Sequence, residues 1–176
     1  MLNFPPPPAA AGRTLWLAYS GGGDSIVLLH ALMHALANPP ADWPRSLQLR
    51  AVHVHHGLQD IADDWAQRCK ACCAHWQIPF QLLRVKVSPG AQGMEAAARE
   101  ARYAALSGVL EPGDLLVTAH HLDDQAETVL FRSLRGTGIA GLGAMRDIEA
   151  LGAGNLWRPL LATPRAVLQA YAQAHG

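Results

Sequence analysis

Six consecutive residues, Ser20 to Ser25, carry the strongest chemical signal in the sequence: Ser-Gly-Gly-Gly-Asp-Ser. The glycines are Gly21, Gly22 and Gly23. They let the backbone turn sharply and bring bare N–H groups against an anion, and a helix after them points its positive end to the same place. Ser20 and Ser25 add hydroxyl groups, and the Asp24 carboxylate suits Mg²⁺. The segment predicts a phosphate cradle; the alternative is a flexible glycine turn with an Asp helix cap.

A second candidate site lies in the segment from Thr118 to Thr128. On a helix, His120, Asp124 and Glu127 share one face at positions i, i+4 and i+7. Two neighbouring carboxylates suit an ammonium ion or a divalent metal, although a solvated polar helix face is equally consistent with the spacing. The opposite, apolar face is predicted to pack on a sheet, and its residues are Leu122, Ala126, Val129 and Leu130.

Two further segments carry candidate ligands. His53 lies in the segment Val52–Leu58, where histidines at a strand end can contact a phosphate, a base or a metal, or simply form a polar strand end. Arg99 and Arg102 recur with Glu95 at helical spacing. They form either intrahelical ion pairs or a guanidinium fork for phosphate oxygens.

Three cysteines, Cys69, Cys72 and Cys73, lie together within one predicted helix. They contain a Cys-x-x-Cys pattern, which can bind zinc or an iron–sulfur cluster, but no second cysteine pair accompanies it. We expect buried, inert thiols, because free cysteine often lies in the core. Trp65 and Trp76, on the same segment, are also predicted to pack in the core.

A glycine-rich loop is predicted over Gly136–Ala144, close to Arg132 and Arg135. Such a loop can close over a substrate or serve as an ordinary connector. Arg158 follows a predicted strand, and its side chain is predicted to point into the site.

Composition limits the classes of function. The 176 residues suffice for one domain with a core, half of them are hydrophobic, and formal net charge is zero. No apolar run approaches the ~20 residues of a membrane helix. Residues 1–12 are rich in proline and alanine and predict a flexible tail, and the cysteine usage suits a reducing cytoplasm. Zero charge predicts that this segment alone grips RNA weakly.

Strand and helix signals alternate along the chain. Strands are predicted at Thr14–Ser20, Leu47–Val54, Phe80–Val87 and Leu115–Ala119, and helices at Ser25–Ala37, Asp60–Gln77, Met94–Leu110 and Leu122–Leu134. A hairpin over Arg146–Ala150 and Asn155–Leu160 follows, and a last helix begins at Pro164 and has barely begun at Gly176. This rhythm predicts an α/β fold, a Rossmann-like parallel sheet with helices on both faces, with ligands outside the carboxyl ends of the strands.

Taken in order, these motifs resemble the tRNA(Ile)-lysidine synthetases. Ser-Gly-Gly-x-Asp-Ser is shared with other pyrophosphate-loop ATPases, whereas His-His-Leu-Asp-Asp-Gln-x-Glu-Thr followed by a glycine loop and Arg-Pro-Leu-Leu is more specific. The resemblance spans residues 13–176 and implies the adenine nucleotide alpha hydrolase-like (PP-loop) fold. Relatives continue into further tRNA-binding domains, so we expect a truncated catalytic domain that binds ATP and modifies tRNA poorly by itself.

The resemblance implies ligation of free L-lysine to C2 of the wobble cytidine in the CAU anticodon of tRNA(Ile). ATP first adenylates the C2 oxygen, and the lysine ε-amine then expels AMP. By matching positions, Ser20–Ser25 and His53 would hold ATP, with Asp24 near Mg²⁺ and Arg99 and Arg102 near phosphate. Asp124 and Glu127 would receive the lysine ammonium, and His120 would line the site. A cytoplasmic protein without a membrane segment is expected, and a homodimer is compatible with the sequence.

Two other functions remain open at this stage. A pyrophosphate-loop tRNA cytidine thiolase would use the Cys-x-x-Cys pattern and sulfur. A non-catalytic ATP-binding module would use the phosphate cradle alone.

Overall fold

The computed structural model describes residues 2, 4–8, 14–57, 62–87, 93–134 and 143–175. Strands and helices alternate through most of this length, and a hairpin and a last helix follow. The elements are β1 (Thr14–Ala18), α1 (Gly23–Ala37), β2 (Gln48–His55), α2 (Ala62–His75), β3 (Phe80–Arg84), α3 (Met94–Ser107), β4 (Leu115–Val117), α4 (Leu122–Leu134), β5 (Ile148–Leu151), β6 (Gly154–Trp157) and α5 (Arg165–His175).

The strands form one six-stranded sheet in the order β3-β2-β1-β4-β6-β5. Each pairing is parallel except that of β5 with β6, the predicted hairpin, which is antiparallel. The predicted Rossmann-like α/β architecture is therefore confirmed, with one antiparallel strand added at an edge. Because β1 lies between β2 and β4, the carboxyl ends of these three strands meet at one edge of the sheet.

Side chains of β1 are buried on both faces of the sheet. Leu15 and Leu17 enter a large apolar cluster with residues of α1, α2 and α5, whereas Trp16 joins a smaller one with Leu106 of α3 and nearby Leu110. Successive side chains of a strand point to opposite faces, so this alternation requires apolar cover on both sides. Helices on both faces, as predicted, supply it.

Helix α4 differs from the sequence prediction. Its apolar face was predicted to pack on the sheet, but Leu122 is 43% exposed and Leu130 is 61% exposed. Val129 and Ala126 are exposed as well, and no residue of α4 is buried. The spacing identified the helix and its bounds correctly, but periodicity alone does not say whether an apolar face has a partner within the same chain.

Residues near both ends of the chain pack against the core. Leu2 is buried, and the ring of Phe4 lies 6.3 Å from that of Trp43. The flexible tail predicted over residues 1–12 is only partly among the described residues and stays a prediction. At the other end, α5 runs for 11 residues with Leu168 and Tyr171 buried, so the expectation of a helix that has barely begun was wrong. Among the described residues, no helix is long and apolar enough to cross a bilayer.

Candidate nucleotide-binding site

A cavity of about 400 Å³ opens where β1, β2 and β4 end. Its walls combine the glycine loop after β1, the end of β2, the start of the β4–α4 connection and one side of α3. The polar residues that line it are Ser20, Asp24, Ser25, His53, His56, Arg102, Thr118 and His120. Most residues predicted for phosphate binding thus share one space with His120.

The glycine loop is held in shape by its own hydroxyl groups. The Gly22 N–H donates to Ser20 Oγ at 3.3 Å, Ser20 Oγ donates to Ser25 Oγ at 3.0 Å, and Ser25 Oγ donates to the Gly22 carbonyl at 2.8 Å. Helix α1 begins at Gly23, so its positive N-terminus lies at this loop. Such a loop at a helix N-terminus is suited to bind an anion, and the predicted binding of phosphate here stays a prediction.

Helix α2 anchors the same loop from behind. Trp65 Nε1 donates to the Ser20 carbonyl at 2.6 Å, and its indole is 39% exposed rather than in the core as predicted. Gly21 adopts a φ of +79°, and a Cβ on it would lie 2.7 Å from Cys69 Sγ and 2.9 Å from Trp65 Nε1. The loop therefore needs glycine at this position both for its conformation and for the close approach of α2.

Two histidines at the end of β2 have pKa values lowered by their surroundings. His53 Nδ1 donates to the Tyr19 carbonyl at 2.8 Å, which leaves Nε2 as an acceptor, and burial lowers the pKa of this histidine. Burial also lowers the pKa of His56, with a contribution from the charge of Arg102. His56 was not singled out by the sequence analysis, although it lies in the same His-rich segment.

His120 occupies the β4 side of the cavity. Its Nδ1 lies 2.8 Å from Thr118 Oγ1. Burial, followed by the charge of Arg158, lowers the pKa of His120 to about 4, and the charge of Asp124 opposes this shift only in part. His120 is therefore uncharged near neutral pH and can exchange hydrogen bonds without adding charge to the site.

The two predicted lysine-binding carboxylates lie beside the cavity rather than in its lining. Asp124 Oδ2 accepts a hydrogen bond from the His121 N–H at 2.9 Å. Glu127 lies one turn further along α4 and is exposed. His121, which the sequence analysis quoted but assigned no role, is 4% exposed, and its Nε2 lies 3.7 Å from Asp24 Oδ2. The feature of the sequence that could have identified His121 is its position immediately before the predicted helix.

The arginines divide between the cavity and other contacts. Arg102 lines the cavity, whereas Arg99 is not part of the lining, and both guanidinium groups lie over the Tyr103 ring at 5.4 and 5.2 Å. Arg158 was predicted to point into the site, but it donates to Glu149 Oε2 and to the Arg146 carbonyl. It affects the site through its charge, which is felt at His120.

The cysteines lie in the core, as predicted. Cys69 and Cys73 are buried, and burial raises the pKa of their thiols to about 11 and about 12. Cys72 is half-buried and packs against the same cluster. Within the part of the chain that the structure describes, no group of three His, Cys, Asp or Glu side chains is placed to hold a metal ion.

Some predicted features lie outside the described residues. These are Leu58 and the part of the glycine-rich loop from residue 135 to residue 142. Gly143, at the far end of that loop, accepts a hydrogen bond from Arg132 of α4 through its carbonyl.

Comparison with known protein families gives one match over nearly the whole chain. The PP-loop domain, an ATP-binding family, matches residues 4–176. The chain belongs to this PP-loop family. The glycine loop between β1 and α1 is accordingly its PP-loop.

Curated relatives carry the name tRNA(Ile)-lysidine synthase. The protein from Pseudomonas putida is 54% identical over 166 residues, and that from Xanthomonas campestris pv. campestris (strain 8004) is 52% identical over 169 residues. These alignments cover 93% and 96% of this PP-loop chain but only 37% and 38% of the relatives. The chain thus spans little more than a third of their length.

A solved structure supports the fold assignment. The U34-tRNA thiolase NcsA from Methanococcus maripaludis, described with its 4Fe–4S cluster, matches with a TM-score of 0.71 at 19% identity. The match covers 93% of this chain and 57% of the thiolase. At this identity the likeness establishes a shared PP-loop fold.

Replacing Gly21 tests the anchoring of the PP-loop by α2. We expect Gly21→Ala to lower the free energy of unfolding by about 1–3 kcal/mol, because it combines a positive φ with contacts below 3.0 Å. The control is Gly23→Ala, whose Cβ would meet no atom within 4 Å and which should stay within about 1 kcal/mol of the parent. Urea unfolding of the three proteins measures this, and equal midpoints for both variants would contradict it.

The lowered pKa of His120 predicts acid sensitivity. The unfolded chain takes up this proton at an ordinary pKa near 6.5, and the folded chain only near 4. The neutral state of His120 therefore contributes fully to the free energy of unfolding above pH ~6.5, and this contribution is lost as the pH falls toward 4. The expected decrease in the free energy of unfolding between pH ~7 and ~5 is about 2 kcal/mol. His120→Asn should lose less stability than the parent over that interval in urea titrations. An unchanged pH dependence would show that another group is responsible.

Proposed function

We propose that this chain provides the nucleotide-binding and catalytic part of a tRNA(Ile)-lysidine synthase. The observation that carries the proposal is the convergence of Asp24, from the PP-loop, and Asp124, from α4, on opposite sides of His121. An ATP site and an acidic, amine-binding site thereby become neighbours. The names of the curated relatives supply tRNA(Ile) and the product lysidine. Lysine as the amine substrate is part of the proposal.

In the proposed reaction, the C2 oxygen of the wobble cytidine attacks the α-phosphate of ATP, and pyrophosphate leaves. The lysine ε-nitrogen then attacks C2, loses a proton, and AMP leaves with the former C2 oxygen. The C2 oxygen, which is a poor leaving group in the free base, thereby leaves as part of AMP, which is a good one. The PP-loop amides are suited to hold the charge that develops on pyrophosphate, and Arg102 and His53 border the space for the nucleotide. Arg99 would support Arg102 through the Tyr103 ring that both arginines cover.

Asp24 and its neighbours fit Mg²⁺. The carboxylate is 39% exposed and lies beside the Ser20 and Ser25 hydroxyl groups in the lining of the cavity. Mg²⁺ prefers oxygen ligands and is typically held by one or two carboxylates together with substrate phosphates and water. Magnesium bound there would neutralise phosphate charge. The protein's own contribution is the Asp24 carboxylate.

Lysine would bind at the start of α4. The carboxylates of Asp124 and Glu127 offer opposite charge to its ammonium group, and neutral His120 on the cavity side adds no competing positive charge. The proposal also includes a macromolecular substrate, tRNA(Ile) with a CAU anticodon, and a cytoplasmic location for the protein. The homodimer stays a prediction.

The burial of the cysteines favours lysidine formation over thiolation. A thiolase that used the Cys-x-x-Cys pattern would need thiolates able to reach a cluster or a sulfur atom. Here burial raises the pKa of Cys69 and Cys73, and Cys69 packs against the back of the PP-loop. These thiols serve the packing of α2.

The direct test measures AMP release by the complete gene product that carries this chain. The assay contains ATP and Mg²⁺, with tRNA(Ile) and lysine each added or omitted. We expect stoichiometric AMP and lysidine only when both are present. AMP release that ignores lysine but requires a sulfur donor would replace the proposal with a thiolase. ATP binding without any turnover would leave a nucleotide-binding module.

Asp124→Asn separates the amine site from the nucleotide site. The amide oxygen can still accept the His121 N–H hydrogen bond, but the negative charge is lost. We expect ATP affinity within about threefold of the parent and a rise in the KM for lysine of about a hundredfold, because the ammonium group keeps only an uncharged hydrogen-bond acceptor at this position.

Asp123→Asn is the matched control for this variant. Asp123 lies in the same turn and accepts the Arg165 N–H, an interaction that an amide oxygen also keeps. It should leave the KM for lysine within a few fold. Equal effects of the two variants would contradict the assignment of Asp124.

A further inference from the structure

His121 forms a reciprocal cap with Asp124 at the start of α4. It immediately precedes the helix, its N–H donates to Asp124 Oδ2 at 2.9 Å, and the Asp124 N–H donates to His121 Nδ1 at 3.4 Å. This is the pattern of a capping box, in which the residue before the helix and the third helical residue satisfy each other's N–H groups. A histidine ring here takes the place of the usual Ser or Thr hydroxyl.

This cap assigns the tautomer of the ring. Because Nδ1 accepts a hydrogen bond in this cap, the tautomer that fits it carries its proton on Nε2. Nε2 lies 3.7 Å from Asp24 Oδ2 in the PP-loop, so this side of the ring faces that carboxylate just beyond hydrogen-bond distance. The ring is 4% exposed and is not part of the cavity lining, which places it behind the reacting groups.

We propose that His121 is a positioning residue that orients Asp24 toward the cation and couples the two halves of the site. The inference rests on the proposed function. A ring nitrogen held beside one oxygen of Asp24 leaves the other oxygen available to the cation that accompanies ATP. Side chains that contact a metal-ligating carboxylate from behind in this way fix its orientation. Since the same ring caps α4 through Asp124, movement of one carboxylate is felt at the other.

Two substitutions separate this role from simple capping. His121→Asn retains a side-chain oxygen near the position of Nδ1 and is a good capping residue, but it has no atom at the position of Nε2. His121→Gln places an amide nitrogen near the position of Nε2 and loses the cap acceptor. We expect the asparagine variant to keep the thermal stability of the parent and to bind ATP about tenfold more weakly with Mg²⁺ present. The glutamine variant should be less stable and bind Mg²⁺–ATP more tightly than the asparagine variant.

The measurement is calorimetric titration of ATP, with and without Mg²⁺, and a thermal melt of each variant. Without Mg²⁺, the asparagine variant should bind ATP within about threefold of the parent. In an Asp24→Asn background, His121→Asn should cause no further loss, because residues that act through one another are not additive. The inference about His121 would be overturned if the asparagine variant bound Mg²⁺–ATP as tightly as the parent, or if the losses of affinity were additive in the double variant. Either result would leave the proposed function standing. Absence of ATP binding in the parent would overturn the proposed function and this inference with it.

Discussion

Parallel pairing of β1 with β2 on one side and β4 on the other is the constraint on which the site depends. Leu15 faces Leu49 and Leu115 in register, so the carboxyl ends of the three strands and the connections that follow them share one edge. Leu15 and Leu17 are fully buried on one face and Trp16 is buried on the other. A slip of β1 by one residue would exchange these faces, so burial of the core fixes where the PP-loop stands relative to His53 and His120.

Packing behind the PP-loop adds the second constraint. A loop of three glycines has high conformational freedom, and its ordering must be offset by contacts. Trp65 supplies a hydrogen bond to the Ser20 carbonyl, and Cys69 closes the space beside Gly21. The proposed binding of phosphate would then need little reorganisation, because the loop is already held at the N-terminus of α1.

The sequence predicted most of the fold and the identity of the PP-loop, because both depend on local patterns. Alternating apolar runs gave the order of strands and helices, and α4 was predicted with its observed bounds. Errors arose where the answer depends on contacts distant in sequence. The exposure of Leu130, the donation of Trp65 to a loop 45 residues away and the pairing of Arg158 with Glu149 cannot be read from spacing.

The position of His121 between two carboxylates could not be predicted from the sequence either. A histidine before a helix is an unremarkable cap in a sequence, and its second nitrogen gains meaning only when the fold brings Asp24 to within 3.7 Å. The roles of all the predicted site residues stay predictions, and Asp124, Glu127 and Arg99 are not among the residues that line the cavity.

Opposite charges of the proposed substrates set the remaining demand on the site. Triphosphate requires donors and cations, whereas lysine requires carboxylates, and the two must lie close enough for reaction at one base. Neutral histidines satisfy both demands, because an uncharged imidazole exchanges hydrogen bonds without repelling the ammonium group. Burial keeps His120 and His53 uncharged near neutral pH. His121 is buried between Asp24 and Asp124 and contacts both carboxylates. The acidic side of the proposed site can therefore lie beside the phosphate side without direct contact between these two negative charges.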